Sequence, residues 1–185
     1  MTSSDPTTTH RARSDNIAPS VASLLQPGAR ESRPQYVIAT GFEPLDSVLN
    51  GGIRTGTLSL LGGAPGIGKS VTALQWARSA ASQGINAIYA CYEHDVSTLL
   101  TRLLLLEVGE LAHASHEAPD PELRRAVTEA ILANGDLDDV IGSSLVLRAA
   151  KARLNGYGDF LFLHEASPTE VDVSALERLV LATGD

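Results

Sequence analysis

A chain of 185 residues with 43% apolar content is long enough for one domain with a real core. Its 14 Lys and Arg against 22 Asp and Glu leave a formal charge of −8, which excludes a broad basic surface for nucleic acid and leaves room only for local contacts. The single cysteine, Cys91, excludes an intramolecular disulfide and a cysteine-based zinc cluster.

Residues 1–34 are rich in Ser, Thr, Pro and Arg and read as a flexible N-terminal arm. Its sizeable apolar residues are Ile17, Val21, Leu24 and Leu25; an unstructured tail is the expectation, and a short helix from Ile17 to Leu25 on docking to a partner is the other reading. It lacks the apolar core of a secretory signal, and no run in the chain reaches membrane-span length, so the expected location is the cytoplasm.

Order is expected from Tyr36-Val37-Ile38, opening a domain over residues 35–185. Thr40 to Ile53 reads as a turn, a short helix carrying Leu45, Val48 and Leu49, and a glycine stop at Gly51-Gly52. Thr57-Leu58-Ser59-Leu60-Leu61 is an apolar run of strand length. It leads into Gly63-Ala64-Pro65-Gly66-Ile67-Gly68-Lys69-Ser70, which fits the phosphate-loop pattern G-x-x-x-x-G-K-[ST] at every fixed position.

The glycines let successive N–H groups turn inward around a polyphosphate. Lys69 brings a mobile cation to the β/γ-phosphates, and Ser70 opens a helix where its hydroxyl can ligate Mg²⁺. Val71, Leu74, Ala77 and Ala81 continue at helical spacing to Gly84, giving the order strand, glycine loop, helix that the motif requires. The nucleotide-binding set is therefore Gly63, Ala64, Pro65, Gly66, Ile67, Gly68, Lys69, Ser70 and Val71, with ATP and Mg²⁺ as the cofactors.

Ile85 to Tyr92 is a second apolar strand, with Cys91 as a small buried residue, and it exits into Glu93-His94-Asp95. A carboxylate at that strand end could orient or deprotonate an attacking water, so Glu93 is the candidate; a solvated strand-exit residue is the other reading. Asp95 is placed to cap the next helix, Val96 to Glu107, a core helix with Leu99, Leu100, Leu103, Leu104 and Leu106 and with Arg102 among them.

Leu111 to Leu123 reads as an irregular connection, in which His113 and His116 have no further ligands arranged around them. Helices are expected over Glu122–Asn134 and Leu137–Leu154, with Arg148, Lys151 and Arg153 at a solvated helix end. A third strand follows at Phe160 to His164, and a last helix over Val171–Thr183 turns Val173, Leu176, Leu179 and Val180 inward.

Thr40-Gly41-Phe42-x-x-Leu45-Asp46, the Gly51-Gly52 pair, the phosphate loop, the strand ending in Glu93 and the Leu/Arg-rich helix after it resemble the RecA-like ATPase core of DnaB-type replicative helicases. RadA-like and KaiC-like ATPases have similar openings, and Gly62 to Lys69 resembles theirs at least as much. The resemblance implies an α/β fold of three layers with a mostly parallel sheet, ATP hydrolysis, Glu93 as the catalytic glutamate beside Lys69, and a ring of like subunits moving on single-stranded DNA. The family's Walker B strand, its DNA-binding loops and its helical N-terminal domain are not found between Met1 and Asp185. The resemblance therefore implies a chain that stops before Walker B, with strands that cannot all pair and only marginal stability. A nucleotide-binding interaction protein without hydrolysis is the reading from another class.

Overall fold

The computed structural model describes residues 26, 36–116, 118, 120–132, 137–165 and 173–183. Apart from Gln26, the predicted arm lies outside them, and the compact unit beginning at Tyr36 is the one followed here. It opens with β1 (Val37–Ile38), α1 (Glu43–Val48) and β2 (Ile53–Arg54), and β1 and β2 pair antiparallel with Ile38 opposite Ile53. Gly52 makes this pairing possible: its φ is +132°, and a Cβ there would lie 2.1 Å from the Ile38 carbonyl oxygen.

The Thr-Gly-Phe-x-x-Leu-Asp stretch closes on itself. Asp46 accepts from the N–H groups of Thr40 at 2.7 Å and Gly41 at 3.2 Å, and the Thr40 hydroxyl accepts from Phe42 N at 3.2 Å. The Thr40 N–H bond, helped by the Thr40 hydroxyl and the Gly41 N–H, holds the Asp46 carboxyl below the usual aspartate range against an opposing desolvation. Of the apolar residues expected to pack from α1, Val48 and Leu49 are exposed and Leu45 is half-buried, because the helix has only six residues to turn toward the body.

The phosphate-loop helix is α2 (Lys69–Ser82), with Leu74, Ala80 and Ala81 buried. It is tied to the opening segment by side chains at its far end. Ser79 Oγ and Gln83 Nε2 donate to the Ala39 carbonyl at 2.8 and 3.1 Å, and Gly41 lets the chain pass so close that a Cβ would stand 3.0 Å from Gln75 Nε2.

Next come β3 (Ala87–Cys91), α3 (Val96–Ala114), α4 (Pro121–Leu132), α5 (Leu137–Ser143), α6 (Leu145–Tyr157), a 3-10 turn at Gly158–Phe160, β4 (Leu161–Glu165) and α7 (Val173–Thr183). β3 and β4 pair in parallel with Ala87 opposite Leu161 and Cys91 opposite Glu165, so α3 to α6 form the crossover between them. The core lies within that crossover, where Leu104, Val108, Val127, Ile141, Leu147 and Ala150 meet, flanked by Leu105, Leu111, Leu123, Val140 and Leu154.

Several expectations are corrected. The helix after Asp95 does not stop at Glu107 but runs to Ala114, and the next helix already begins at Pro121, so the irregular stretch expected over Leu111 to Leu123 is helical at both ends. Gly109 in the helix interior costs about 1 kcal/mol relative to alanine, which packing of Val108 and Leu111 on the core offsets. Leu137–Leu154 is two helices, because Ser144 leaves the helical conformation (φ −129°, ψ 130°) and its side chain caps α6 through Leu147 N. The final helix buries no residue; Val173, Leu176 and Val180 stay exposed, and Asn86 Nδ2 donates to the Thr183 carbonyl at 3.0 Å at its end.

The largest correction concerns Thr57–Leu61. It is not a strand: it pairs with neither β1, β2, β3 nor β4, and Leu58 and Leu60 are 88% and 90% exposed. An apolar run becomes a strand only where a neighbouring strand takes its N–H and C=O groups. The three-layer arrangement with a mostly parallel sheet is accordingly reduced, among the described residues, to one parallel pair and one antiparallel pair.

Candidate phosphate-binding site

The loop from Gly63 to Ser70 is built from left-handed glycines followed by a helix start. Gly66 has φ +78° and Gly68 φ +100°, and a Cβ on either would meet nothing within 4 Å, so both border open space. Gly68 is itself the N-cap of α2, in a left-handed conformation that supplies no side chain to cap the helix. No acidic residue lies in the first turn of α2. The first N–H groups of a helix have no internal acceptor, so here they stay available to an external anion, with the positive end of the helix dipole behind them.

Lys69 completes the cationic side. Its Nζ donates to the carbonyls of Gly63 at 3.0 Å and Ala64 at 2.8 Å, which folds the ammonium back across the loop that precedes it. A phosphate bound there would compete with these carbonyls for the same ammonium. At Gly63 a Cβ would stand 2.9 Å from Ile67 Cγ2, so a side chain there would have to displace the exposed Ile67. Ala64 and Pro65 lie exposed in the loop, as do Ile67 and Val71, while Ser70 is half-buried.

Glycine N–H groups and one lysine suit a nucleotide polyphosphate, and the Ser70 hydroxyl is the group that would hold an accompanying Mg²⁺. Among the described residues no group of three or more His, Cys, Asp or Glu could hold a metal ion, and His113 and His116 are exposed at the end of α3 and just beyond it.

Glu93 sits just past β3 and is exposed; Asp95, two residues on, accepts from Thr98 N at 2.6 Å and caps α3, a bond that lowers its pKa. The partner strand ends at Glu165, opposite Cys91, so one carboxylate closes β4 at the end of the pair from which the chain leaves β3 toward Glu93. Tyr89, in the middle of β3, donates its hydroxyl to the Ser70 carbonyl at 3.0 Å. It is the bond that joins the strand leading to Glu93 to the first turn of the phosphate-loop helix.

A second cluster was not visible in the sequence. Glu107, with no exposed surface, accepts from Arg78 Nε and, at 2.7 Å, from the Tyr157 hydroxyl. Its other oxygen lies 3.7 Å from Arg153 and has no hydrogen-bond partner. Arg78 also donates to Gln75 Oε1 at 3.2 Å and lies 5.9 Å from the Tyr157 ring centre. Burial pulls the Arg78 pKa down, but the hydrogen bond and charge of Glu107 outweigh it and hold it above the usual value; burial and the Glu107 bond push Tyr157 up. Arg153, expected in a solvated helix end, is indeed exposed, and its guanidinium also reaches toward this carboxylate. The partners are separated by 29 and 50 positions, and no local spacing signals them.

The loop, its helix and the parallel pair are the parts of an α/β fold of the P-loop type. The KaiC ATPase family model matches residues 38–108, which include α1, β2, the loop, Glu93 and most of α3. The chain is 36% identical over 99 residues to the DNA repair protein RadA of Chlamydia pneumoniae, covering 54% of this chain and 22% of that protein. It is 30% identical over 158 residues to the DNA repair protein RadA of Mycobacterium tuberculosis (strain CDC 1551 / Oshkosh), covering 78% of this chain and 32% of that protein. To the DNA repair protein RadA of Chlamydia muridarum (strain MoPn / Nigg) it is 41% identical over 72 residues, covering 39% and 16%. No solved structure matches. The matches support a RecA-like ATPase, and they favour the RadA-like and KaiC-like reading over the DnaB-type helicase that the leucine- and arginine-rich helix suggested. The chain spans about a third or less of the length of these relatives. Among the described residues no helix is long and apolar enough to cross a membrane.

Proposed function

We propose that the chain carries the ATP-binding part of a RadA-like ATPase that acts on DNA in repair or recombination. The observation that carries the reading is the arrangement of Gly68 and Lys69: an uncapped helix start in the left-handed conformation with an ammonium folded over the loop before it. The similarity to the DNA repair protein RadA supplies the choice of process.

In this reading the loop N–H groups bind the phosphates, Lys69 exchanges the Gly63 and Ala64 carbonyls for phosphate oxygens, and Ser70 holds Mg²⁺. The metal supplies charge neutralisation for the β- and γ-phosphates. Glu93 faces the water that attacks the γ-phosphate. Single-stranded DNA is the partner that hydrolysis serves, and like subunits assemble into a ring.

Titration of the chain with a fluorescent ATP analogue in Mg²⁺ tests the first step. Saturable binding that Lys69→Ala weakens at least tenfold is expected; no binding by the unaltered chain sinks the reading. For any ATPase activity that single-stranded DNA stimulates, Glu93→Gln is expected to keep binding and lose turnover. Normal turnover in that variant would remove Glu93 from its role.

A further inference from the structure

We infer that Tyr89 is a positioning residue that sets the magnesium-binding end of the phosphate loop, through Ser70; the inference rests on the ATP-binding reading above. Tyr89 is the middle residue of β3 and stands opposite Leu163 of β4. Its side chain reaches α2, where the hydroxyl donates to the Ser70 carbonyl at 3.0 Å.

That carbonyl belongs to the second residue of α2, and in a helix it accepts from the N–H four residues on. The Tyr89 bond is therefore not required to satisfy a buried group. What it adds is a fixed spacing between a strand and the first helical turn. Such a tie matters here because the segment entering the loop has no strand beside it at Thr57–Leu61 and a Cβ on Gly66 or Gly68 would meet nothing within 4 Å, so the loop borders open space. The tie also comes from the strand that leads to Glu93, so one hydroxyl sets Ser70 relative to the candidate catalytic carboxylate.

The test is ATP affinity of the 185-residue chain, measured with Mg²⁺ and again with EDTA, for the wild type, Tyr89→Phe, Ser70→Ala and the double variant. The wild type is expected to bind more tightly with Mg²⁺. Tyr89→Phe should lose roughly three- to tenfold of that gain, keep its affinity in EDTA, and add nothing on the Ser70→Ala background. An unchanged Mg²⁺ gain in Tyr89→Phe overturns the assignment. So does an equal loss in EDTA, an equal loss on the Ser70→Ala background, or a wild type whose ATP binding ignores Mg²⁺. A wild type that binds no ATP under either condition overturns the ATP-binding reading itself. Should Tyr89→Phe not fold, Tyr89→Met fills the same space without a donor and is judged by the same outcomes.

Discussion

Arg78 of the phosphate-loop helix donates to Glu107 of α3, a carboxylate with no exposed surface, and Tyr157 of α6 donates to the same oxygen. Three helices thus share one buried acceptor. Removing one partner of such a pair strands the other's charge, so Glu107→Ala should cost about 3–5 kcal/mol. Trp76, the chain's one tryptophan, lies two residues from Arg78 on α2 and can report the urea midpoint. The paired change Arg78→Met with Glu107→Leu should recover most of the loss. A midpoint unmoved by Glu107→Ala would mean that the pair holds nothing together.

Asp46 should make stability depend on pH. Its folded pKa lies below the unfolded value, so its contribution is present above the unfolded pKa, roughly 4, and is lost as pH falls through the depressed folded value. Asp46→Ala is therefore expected to lower the melting temperature at neutral pH, with the gap to wild type closing in acid. Melting curves at several pH values check this, and a constant gap would contradict the assignment of the Thr40 and Gly41 bonds to the ionised carboxylate.

Two glycines with positive φ should rank differently. Gly56→Ala, at φ +75° with nothing within 4 Å, meets only the left-handed backbone cost, about 1–2 kcal/mol. Gly52→Ala adds a collision with the Ile38 backbone, which no side-chain rotation relieves, and should be the more destabilised of the two by denaturation midpoint. The reverse order would show that β1 and β2 are not held as close as described.

Leu58 and Leu60 offer apolar surface on a backbone segment with no strand beside it. Replacing both with Lys should reduce self-association in sedimentation at high concentration and leave the urea midpoint within about 0.5 kcal/mol of wild type. A large drop in the midpoint would reveal packing that the exposed positions do not suggest.

The glycine loop and the helix start at Lys69 were legible because their determinants are contiguous: glycines at fixed offsets, then Lys69 and Ser70. Asp95 was legible as a cap for the same reason. Thr57–Leu61 was misread because strand formation depends on a neighbour, and apolar content alone does not supply one. The end of α3 was misplaced because Gly109 marks a stop locally, whereas the contacts that carry the helix past it come from α4, α5 and α6. Glu107 looked like a charge at a helix end; its partners, one on α2 and two on α6, became visible only with the fold.

The placement of four helices between β3 and β4 also has a bearing on the order in which the chain folds. Contacts within α3 to α6 join near neighbours in sequence and can form early, whereas the parallel pairing must wait until they have brought Leu161 back to Ala87. A ribosome would thus release β3 well before its partner exists. During that interval Ala87 to Cys91 would present an unpaired apolar edge, and a helical bundle that closes quickly is what keeps the interval short.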